Sequence, residues 1–215
     1  MSYQHTDATL ALMKLAPVIP VMQVADAVDA LAQAKAVISG GLLALEITLR
    51  TPAALPAIEM LSRAFPEAEI GAGTVTTPEL MEAALKAGAS FLVSPGMTKD
   101  LLKAARKSPV PFLPGAATAS EAMALAERGF RCMKFFPAEP AGGAKYLASL
   151  AGPLPGLVFC PTGGIDPEKA QAYLALKNVA CVGGSWMVAP KLVAAGDYES
   201  VERLSRAAAA LRPAG

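Results

Sequence analysis

One lysine lies in a segment that otherwise has the composition of a buried β-strand. Lys134 belongs to the run Arg-Cys-Met-Lys-Phe-Phe (131–136), and strand alternation places it on the same face as Cys132 and Phe136. Burying a charged amine costs several kcal/mol unless the charge is paired or neutralised. A desolvated amine also loses its proton more easily and can then attack a carbonyl. Lys134 is therefore either a structural lysine whose ammonium extends to water at the end of the strand, or a Schiff-base nucleophile. Taken alone, the lysine favours the structural interpretation.

Glu46 is the strongest candidate for proton transfer. It lies in the segment 42–50, whose opposite face is apolar: Leu43, Leu45, Ile47 and Leu49. If that apolar face meets helices, Glu46 points to the other side of the sheet, where it could pair with a lysine or move protons during carbinolamine and enamine chemistry. Glu139, just after the lysine segment, is a weaker candidate.

Arg50 and Thr74 follow two of the predicted strands and are suited to hold a carboxylate. A guanidinium binds a planar carboxylate through two parallel hydrogen bonds, and the Thr74 hydroxyl could donate a third. Thr74 ends the run Gly-Ala-Gly-Thr (71–74), whose glycines allow close approach of the backbone. A surface ion pair and an ordinary tight turn are the alternative interpretations.

Two glycine pairs close the last two predicted strands, in Thr162-Gly163-Gly164 and Gly183-Gly184-Ser185. Backbone N–H groups and hydroxyls at these positions of a parallel barrel form a typical phosphate site. A single glycine pair would be weak evidence, whereas two pairs at these two places are more specific.

Composition limits the remaining possibilities. The chain has 215 residues, is 53% hydrophobic and carries a net charge of +1, which does not favour a nucleic-acid or polybasic membrane surface. His5 is the only histidine, so histidine-ligated metals and Ser-His or Cys-His pairs would all depend on it. The three cysteines lack Cys-x-x-Cys spacing and are interpreted as buried thiols of a cytoplasmic protein. No apolar run reaches membrane-spanning length.

Eight short apolar runs alternate with segments of helical periodicity, which predicts parallel βα units. The runs are 18–22, 42–48, 68–74, 90–94, 110–114, 131–136, 157–162 and 179–183. Capping signals predict helix starts at Thr51-Pro52, Thr77-Pro78, Thr118 and Asp166-Pro167. We therefore expect one α/β domain over residues 1–215. It would be a (β/α)8 TIM barrel with parallel strands and an extra N-terminal helix, or arm, in residues 1–15. An open doubly wound sheet is the alternative, weakened by the lack of a Gly-x-Gly-x-x-Gly after the first strand.

Several motifs resemble the bifunctional family of 2-keto-3-deoxy-6-phosphogluconate (KDPG) and 4-hydroxy-2-oxoglutarate (KHG) aldolases. They are Leu-Glu-Ile-Thr-Leu-Arg (45–50), Gly-Ala-Gly-Thr-Val (71–75), Ser-Pro-Gly (94–96), Leu-Pro-Gly (113–115), Lys-Phe-Phe-Pro-Ala-Glu (134–139), Phe-Cys-Pro-Thr-Gly-Gly (159–164) and Gly-Gly-Ser-Trp (183–186). The resemblance extends from about Val18 to Tyr198. One departure is Ala116-Ala117-Thr118, where family members commonly have Ile-Ser/Thr-Thr, and it bears on substrate breadth.

The resemblance implies a class I lyase of the Entner–Doudoroff pathway that needs neither a metal nor another cofactor. It implies that Lys134 is the Schiff-base lysine and Glu46 the general acid/base, with Arg50 and Thr74 on the pyruvyl carboxylate. Pro95 and Phe136 would line the pocket, and the implied phosphate ligands are Thr162, Gly163, Gly164, Gly184 and Ser185. The implied partners are a small 2-keto acid and a phosphorylated aldehyde, with no nucleic acid or membrane, and the implied assembly is a homotrimer.

Two other functions stay open from the sequence. One is a related pyruvate aldolase that prefers an unphosphorylated or galactonate-derived substrate. The other is a phosphate-binding barrel without catalysis, in which Lys134 and Glu46 form a structural pair.

Overall fold

The computed structural model describes residues 5–211, in which short parallel strands alternate with helices. The strands are β1 Val18–Met22, β2 Ala44–Thr48, β3 Glu69–Gly73, β4 Leu92–Val93, β5 Phe112–Leu113, β6 Gly115–Ala116, β7 Cys132–Phe135, β8 Val158–Pro161 and β9 Val182–Gly184. The helices are α1 Thr6–Met13, α2 Ala27–Ser39, α3 Ala54–Ala64, α4 Pro78–Lys86, α5 Lys99–Ala105, α6 Ala119–Glu127, α7 Gly143–Ser149, α8 Pro167–Leu174, α9 Pro190–Ala194 and α10 Tyr198–Ala209. The extra N-terminal helix is present as α1; residues 1–4 of the predicted arm lie outside the described part of the chain.

The strands form two parallel sheets. The larger sheet has the order β5-β4-β3-β2-β1-β9 and the smaller the order β6-β7-β8. Isolated parallel bridges, Phe159 to Val179 and Thr162 to Gly183, connect the edge of β8 to the chain at β9. The parallel α/β architecture is confirmed. The predicted single ring of eight strands is not seen as continuous ladders. The fifth predicted strand is divided between the two sheets, and only isolated bridges join β8 to the chain at β9.

Pro114 explains this division. The predicted run 110–114 yields only β5, and β6 begins directly after Pro114 and joins the other sheet. Proline has no N–H to donate to a ladder, so one hydrogen bond is missing at the point where the chain passes from one sheet to the other. The next N–H, that of Gly115, donates to the Ser94 hydroxyl instead, at 3.4 Å.

Side-chain alternation separates two apolar clusters. Leu45 and Ile47 of β2 belong to the cluster that includes the helix residues, whereas Ala44 belongs to a second cluster between the strands. The second cluster is built mainly from strand residues and from two side chains of α1: Leu12, Met13, Ile19, Ala44, Phe91, Val93, Leu113, Cys132, Cys160 and Cys181. Ala44 and Cys132 each precede a charged residue by two positions, so Glu46 and Lys134 point to the same interior space. This confirms the phase that was predicted for Glu46.

Most of the predicted helix starts are confirmed by their caps. Thr77 accepts a hydrogen bond from the Leu80 N–H at the start of α4, and Asp166 accepts one from the Lys169 N–H at the start of α8. Thr118 and Glu121 form a capping box at α6. The start predicted at Thr51 is wrong: α3 begins at Ala54 without a side-chain cap, because the Thr51 hydroxyl donates to the Val24 carbonyl at 2.7 Å.

No helix within residues 5–211 is long and apolar enough to cross a membrane.

Candidate active site

The site is centred on an ion pair between two buried side chains from strands that are not neighbours. The Lys134 Nζ lies 2.9 Å from Oε1 and 3.3 Å from Oε2 of Glu46, and both side chains are only 4% exposed. The Phe136 ring centroid lies 5.4 Å from the same Nζ. The attraction between the two charges offsets the free energy that removing Lys134 from water would cost if it were unpaired. The pair also holds an amine and a carboxylate within proton-transfer distance.

Gly73 makes room for this carboxylate. A Cβ atom at position 73 would lie 2.2 Å from Oε1 and 2.5 Å from Cγ of Glu46. The sequence predicted that the glycines of the run 71–74 permit close approach. The structure identifies what approaches Gly73, namely the Glu46 side chain from the adjacent strand.

Arg50 and Thr74 meet at the ends of β2 and β3. The Arg50 Nε donates to the Thr74 hydroxyl at 3.1 Å, and the Arg50 side chain is exposed. Thr74 has a φ of 60°, an unusual value for a β-branched residue. Such conformations cluster at binding sites, where the surrounding structure holds them. This bond uses Nε and leaves both terminal nitrogens of Arg50 available to a ligand.

The residues predicted to bind phosphate line one small cavity together with Arg50 and Phe136. Its volume is about 120 Å³, and its lining is Val21, Arg50, Phe136, Thr162, Gly163, Gly164, Ile165, Gly183, Gly184 and Ser185. Gly163 and Gly164 have φ values of 108° and 77°, which only glycine adopts without strain. Within the described residues, neither of their N–H groups donates a hydrogen bond. Two backbone donors therefore remain available to a ligand at this cavity.

A wider cavity of about 490 Å³ adjoins this one and shares Val21, Arg50 and Ser185 with it. Another cavity, of about 540 Å³, is lined by α5 and the residues that follow α5 and α6, and it includes none of the predicted site residues. Size alone would therefore have pointed away from Lys134.

Pro95 approaches the site through its backbone rather than as part of the small cavity. A Cβ at Gly115 would lie 2.3 Å from the Pro95 carbonyl, and Gly115 is the register partner of Lys134. Pro95 thus packs behind the strand next to the lysine.

Glu139 has a different environment from Glu46. Its Oε1 accepts a 2.6 Å hydrogen bond from the Tyr173 hydroxyl, and its Oε2 lies 3.8 Å from the Lys169 Nζ. Burial, and then the hydrogen bond to Glu139, raises the pKa of Tyr173. Tyr173 was not predicted as a site residue, because an aromatic residue on an amphipathic helix usually belongs to the core.

The three cysteines are buried free thiols, as the sequence indicated. Burial, and then the negative charge of Asp7, raises the pKa of Cys132 to about 11. Among the residues that the structure describes, no group of three or more His, Cys, Asp and Glu side chains is arranged to hold a metal ion.

Comparisons with known proteins agree with this geometry. Residues 10–204 match the family described as KDPG and KHG aldolase. The chain is 46% identical over 198 residues to the KHG/KDPG aldolase of Escherichia coli K12, with 92% of this chain and 93% of the relative covered. It is 49% identical over 205 residues to the 2-dehydro-3-deoxy-phosphogluconate aldolase of Pseudomonas aeruginosa, with 95% and 93% covered.

The solved structures point the same way. KDPG aldolase from Legionella pneumophila, with pyruvate captured as a covalent carbinolamine intermediate, superposes with a TM-score of 0.92 at 44% identity. That match covers 94% of this chain and 98% of the other. The chain therefore belongs to the KDPG and KHG aldolase family.

Proposed function

We propose that the chain is a class I aldolase of the Entner–Doudoroff pathway, in which Lys134 is the Schiff-base nucleophile. It would cleave KDPG to pyruvate and D-glyceraldehyde 3-phosphate, and KHG to pyruvate and glyoxylate. The observation that carries this proposal is the Lys134–Glu46 pair, in which an amine and a carboxylate lie 2.9 Å apart and almost fully buried. Relatives named for both substrates support it.

The pair supplies the groups that each step needs. A proton passes from Lys134 to Glu46, and the neutral amine attacks the C2 ketone to form a carbinolamine. Glu46 returns that proton as the C2 oxygen leaves as water, giving an iminium. Glu46 then takes the C4 hydroxyl proton, the C3–C4 bond breaks, and its electrons move into an enamine as the aldehyde leaves. Protonation of C3 and hydrolysis by water release pyruvate and restore the lysine.

Arg50 and Thr74 would fix the carboxylate end of the substrate. The terminal nitrogens of Arg50 can bind both carboxylate oxygens, while its Nε stays on the Thr74 hydroxyl. Holding the carboxylate orients the adjacent C2 ketone toward the lysine and lowers the entropic cost of attack.

The small cavity would hold the phosphate of the substrate. The N–H groups of Gly163 and Gly164, with the hydroxyls of Thr162 and Ser185 and the backbone at Gly184, offer several donors to a tetrahedral anion. Arg50 also lines this cavity and adds a positive charge. Phe136 would form an apolar wall between the phosphate and the lysine, and Pro95 would support the neighbouring strand.

The closure of the barrel, the oligomeric state and the cellular location belong to the same proposal. We infer that the strands close into one (β/α)8 barrel in a single domain, which the bridge from Thr162 to Gly183 and the TM-score of 0.92 to an aldolase support. We also infer a homotrimer in the cytoplasm. Light scattering should then give a molar mass three times that of one chain. A monomer that is fully active would contradict the trimer.

Reduction with borohydride in the presence of pyruvate tests the chemistry. Intact-mass and peptide mass spectrometry should locate one pyruvate-derived adduct at Lys134. Lys134→Met is the control and should yield none. An adduct on another lysine, or full turnover by the variant, would contradict the assignment. Comparing kcat/KM for KDPG, its galactonate-derived epimer and KHG then separates the family's substrates.

A further inference from the structure

The proposed phosphate loop is connected to the segment that follows the lysine strand. The Ala138 N–H donates to the Thr162 carbonyl at 2.8 Å, and the Glu139 N–H donates to the Gly163 carbonyl at 3.1 Å. These two bonds connect the segment that follows β7 to the segment that follows β8. The backbone at Gly163 is thereby tied to residues only a few positions from Lys134.

The Glu139 side chain adds a second connection, to the helix that follows the loop. Its carboxylate accepts from the hydroxyl of Tyr173 on α8, at 2.6 Å, and lies 3.8 Å from Lys169 near the start of α8. Lys169 in turn donates to the Gly164 carbonyl at 3.2 Å. The carbonyls of both loop glycines are therefore engaged, by Glu139 N–H and by the Lys169 ammonium.

Steric contacts restrict the loop from the same side. A Cβ at Gly164 would lie 2.9 Å from both Cβ and Cγ of Glu139, so the Glu139 stem packs directly against the loop backbone. Tyr173 is itself 1% exposed, and the core fixes its ring. The hydroxyl that holds the carboxylate is thus delivered from a rigid position.

We propose that Glu139 and Tyr173 are positioning residues that set the orientation of the phosphate-binding backbone at Gly163 and Gly164. They do not touch the reacting atoms. With the loop carbonyls held on the Glu139 and Lys169 side, the N–H groups of the two glycines turn to the cavity. This inference rests on the proposed phosphate site and assigns Glu139 a role other than acid/base catalysis.

The consequence is selective for phosphorylated substrate. Removing the Tyr173 hydroxyl loosens the loop but leaves Lys134, Glu46 and the Arg50–Thr74 bond unchanged. Binding of the KDPG phosphate should weaken, whereas KHG, which has no phosphate, should react as before. Formation of the pyruvate iminium should also be unaffected, since pyruvate does not reach the loop.

The test compares Tyr173→Phe and Glu139→Gln with the wild-type chain on both substrates. We expect KM for KDPG to rise about fivefold in Tyr173→Phe, with kcat for KDPG and kcat/KM for KHG within about twofold of wild type. Glu139→Gln should shift KM in the same direction, and the double variant should fall short of the product of the two single effects, because they remove parts of one contact. Unchanged KM for KDPG, or an equal loss on both substrates, would overturn the proposal.

Tyr198→Phe is the matched control. Tyr198 also donates to a carboxylate, that of Asp29, at 2.7 Å. Neither residue lines the small cavity, and Asp29 lines only the wider one. Loss of the Tyr198 hydroxyl should leave the ratio of KM values for KDPG and KHG unchanged. Borohydride trapping with pyruvate separates the two levels of inference: trapping that fails in the wild-type chain refutes the proposed function, whereas normal trapping with an unchanged KM ratio refutes only the positioning role.

Discussion

Replacing Glu46 with glutamine tests whether the buried pair performs proton transfer or only holds the fold. Glutamine keeps the length of the side chain and one hydrogen-bond acceptor, but it removes the charge that Lys134 faces at 2.9 Å. Because both side chains are 4% exposed, the charge of Lys134 loses its partner without gaining water. We expect turnover of KDPG to fall by about 10²–10⁴-fold and the free energy of unfolding to fall by about 3 kcal/mol.

A coupled assay of pyruvate release measures turnover, and urea unfolding measures stability. Glu59→Gln is the control for the chemical change itself, because Glu59 pairs with Arg63 at 2.7 Å but is 53% exposed. Glu59→Gln should lower the free energy of unfolding by less than about 1 kcal/mol and leave turnover unchanged. A Glu46→Gln enzyme that keeps turnover within tenfold of wild type would refute the assignment of Glu46 as the acid/base.

A double variant separates stability from catalysis. Replacing Lys134 and Glu46 together with methionine removes both charges and leaves apolar side chains of similar volume. The unfolding free energy should return to within about 1 kcal/mol of wild type, because buried ion pairs contribute little relative to apolar replacements. Activity should be absent. Recovery of turnover in this variant would mean that the chemistry lies elsewhere.

Four further predictions concern Gly73, Arg50, Cys132 and Thr118. Gly73→Ala should displace the Glu46 carboxylate from the lysine and lower kcat about tenfold or more, and an unchanged kcat would contradict the steric argument. Arg50→Lys should raise KM for KDPG about tenfold in steady-state kinetics, because lysine lacks the planar guanidinium that binds a carboxylate through two hydrogen bonds. An unchanged KM would contradict this role of Arg50. Native Cys132 should resist iodoacetamide at pH 8, because burial raises the pKa of its thiol to about 11, above the ordinary value of 9.0. Its contribution to stability should be fully present below about pH 9 and be lost as the pH rises toward 11, and urea midpoints measured across that range would report the loss. Thr118→Ala should lower the unfolding free energy by about 1 kcal/mol by removing the α6 cap, with kcat unchanged, and an unaltered urea midpoint would argue against the cap.

The alternation in the segment 42–50 predicted the direction of Glu46, and the apolar composition of the segment 131–136 singled out Lys134. The catalytic roles proposed for the two residues came from the family resemblance. Leu45 and Ile47 belong to the face that packs against helices, so their phase sets the direction of Glu46. The alternation could not give the distance between Glu46 and Lys134, which depends on how the sheets curve. It could not show either that Gly73 provides the space for the carboxylate.

The remaining differences have local causes. Pro114 divides a strand that is continuous in its apolar composition, and a two-residue strand has no periodic signature. Thr51 has the composition of a cap, but its hydroxyl meets a carbonyl 27 residues away in the chain. Tyr173 contacts Glu139 across 34 residues, and nothing in its own helix distinguishes it from a core aromatic.

The missing side chain at Gly73 has a consequence for redesign of this pocket. A library that varies position 46 alone explores only the volume that the glycine at position 73 leaves free. Positions 46 and 73 are therefore sterically coupled. An alanine at 73 is compatible with a short residue at 46, and a long acid at 46 demands glycine at 73. Across a collection of related chains, these two columns should change together or not at all.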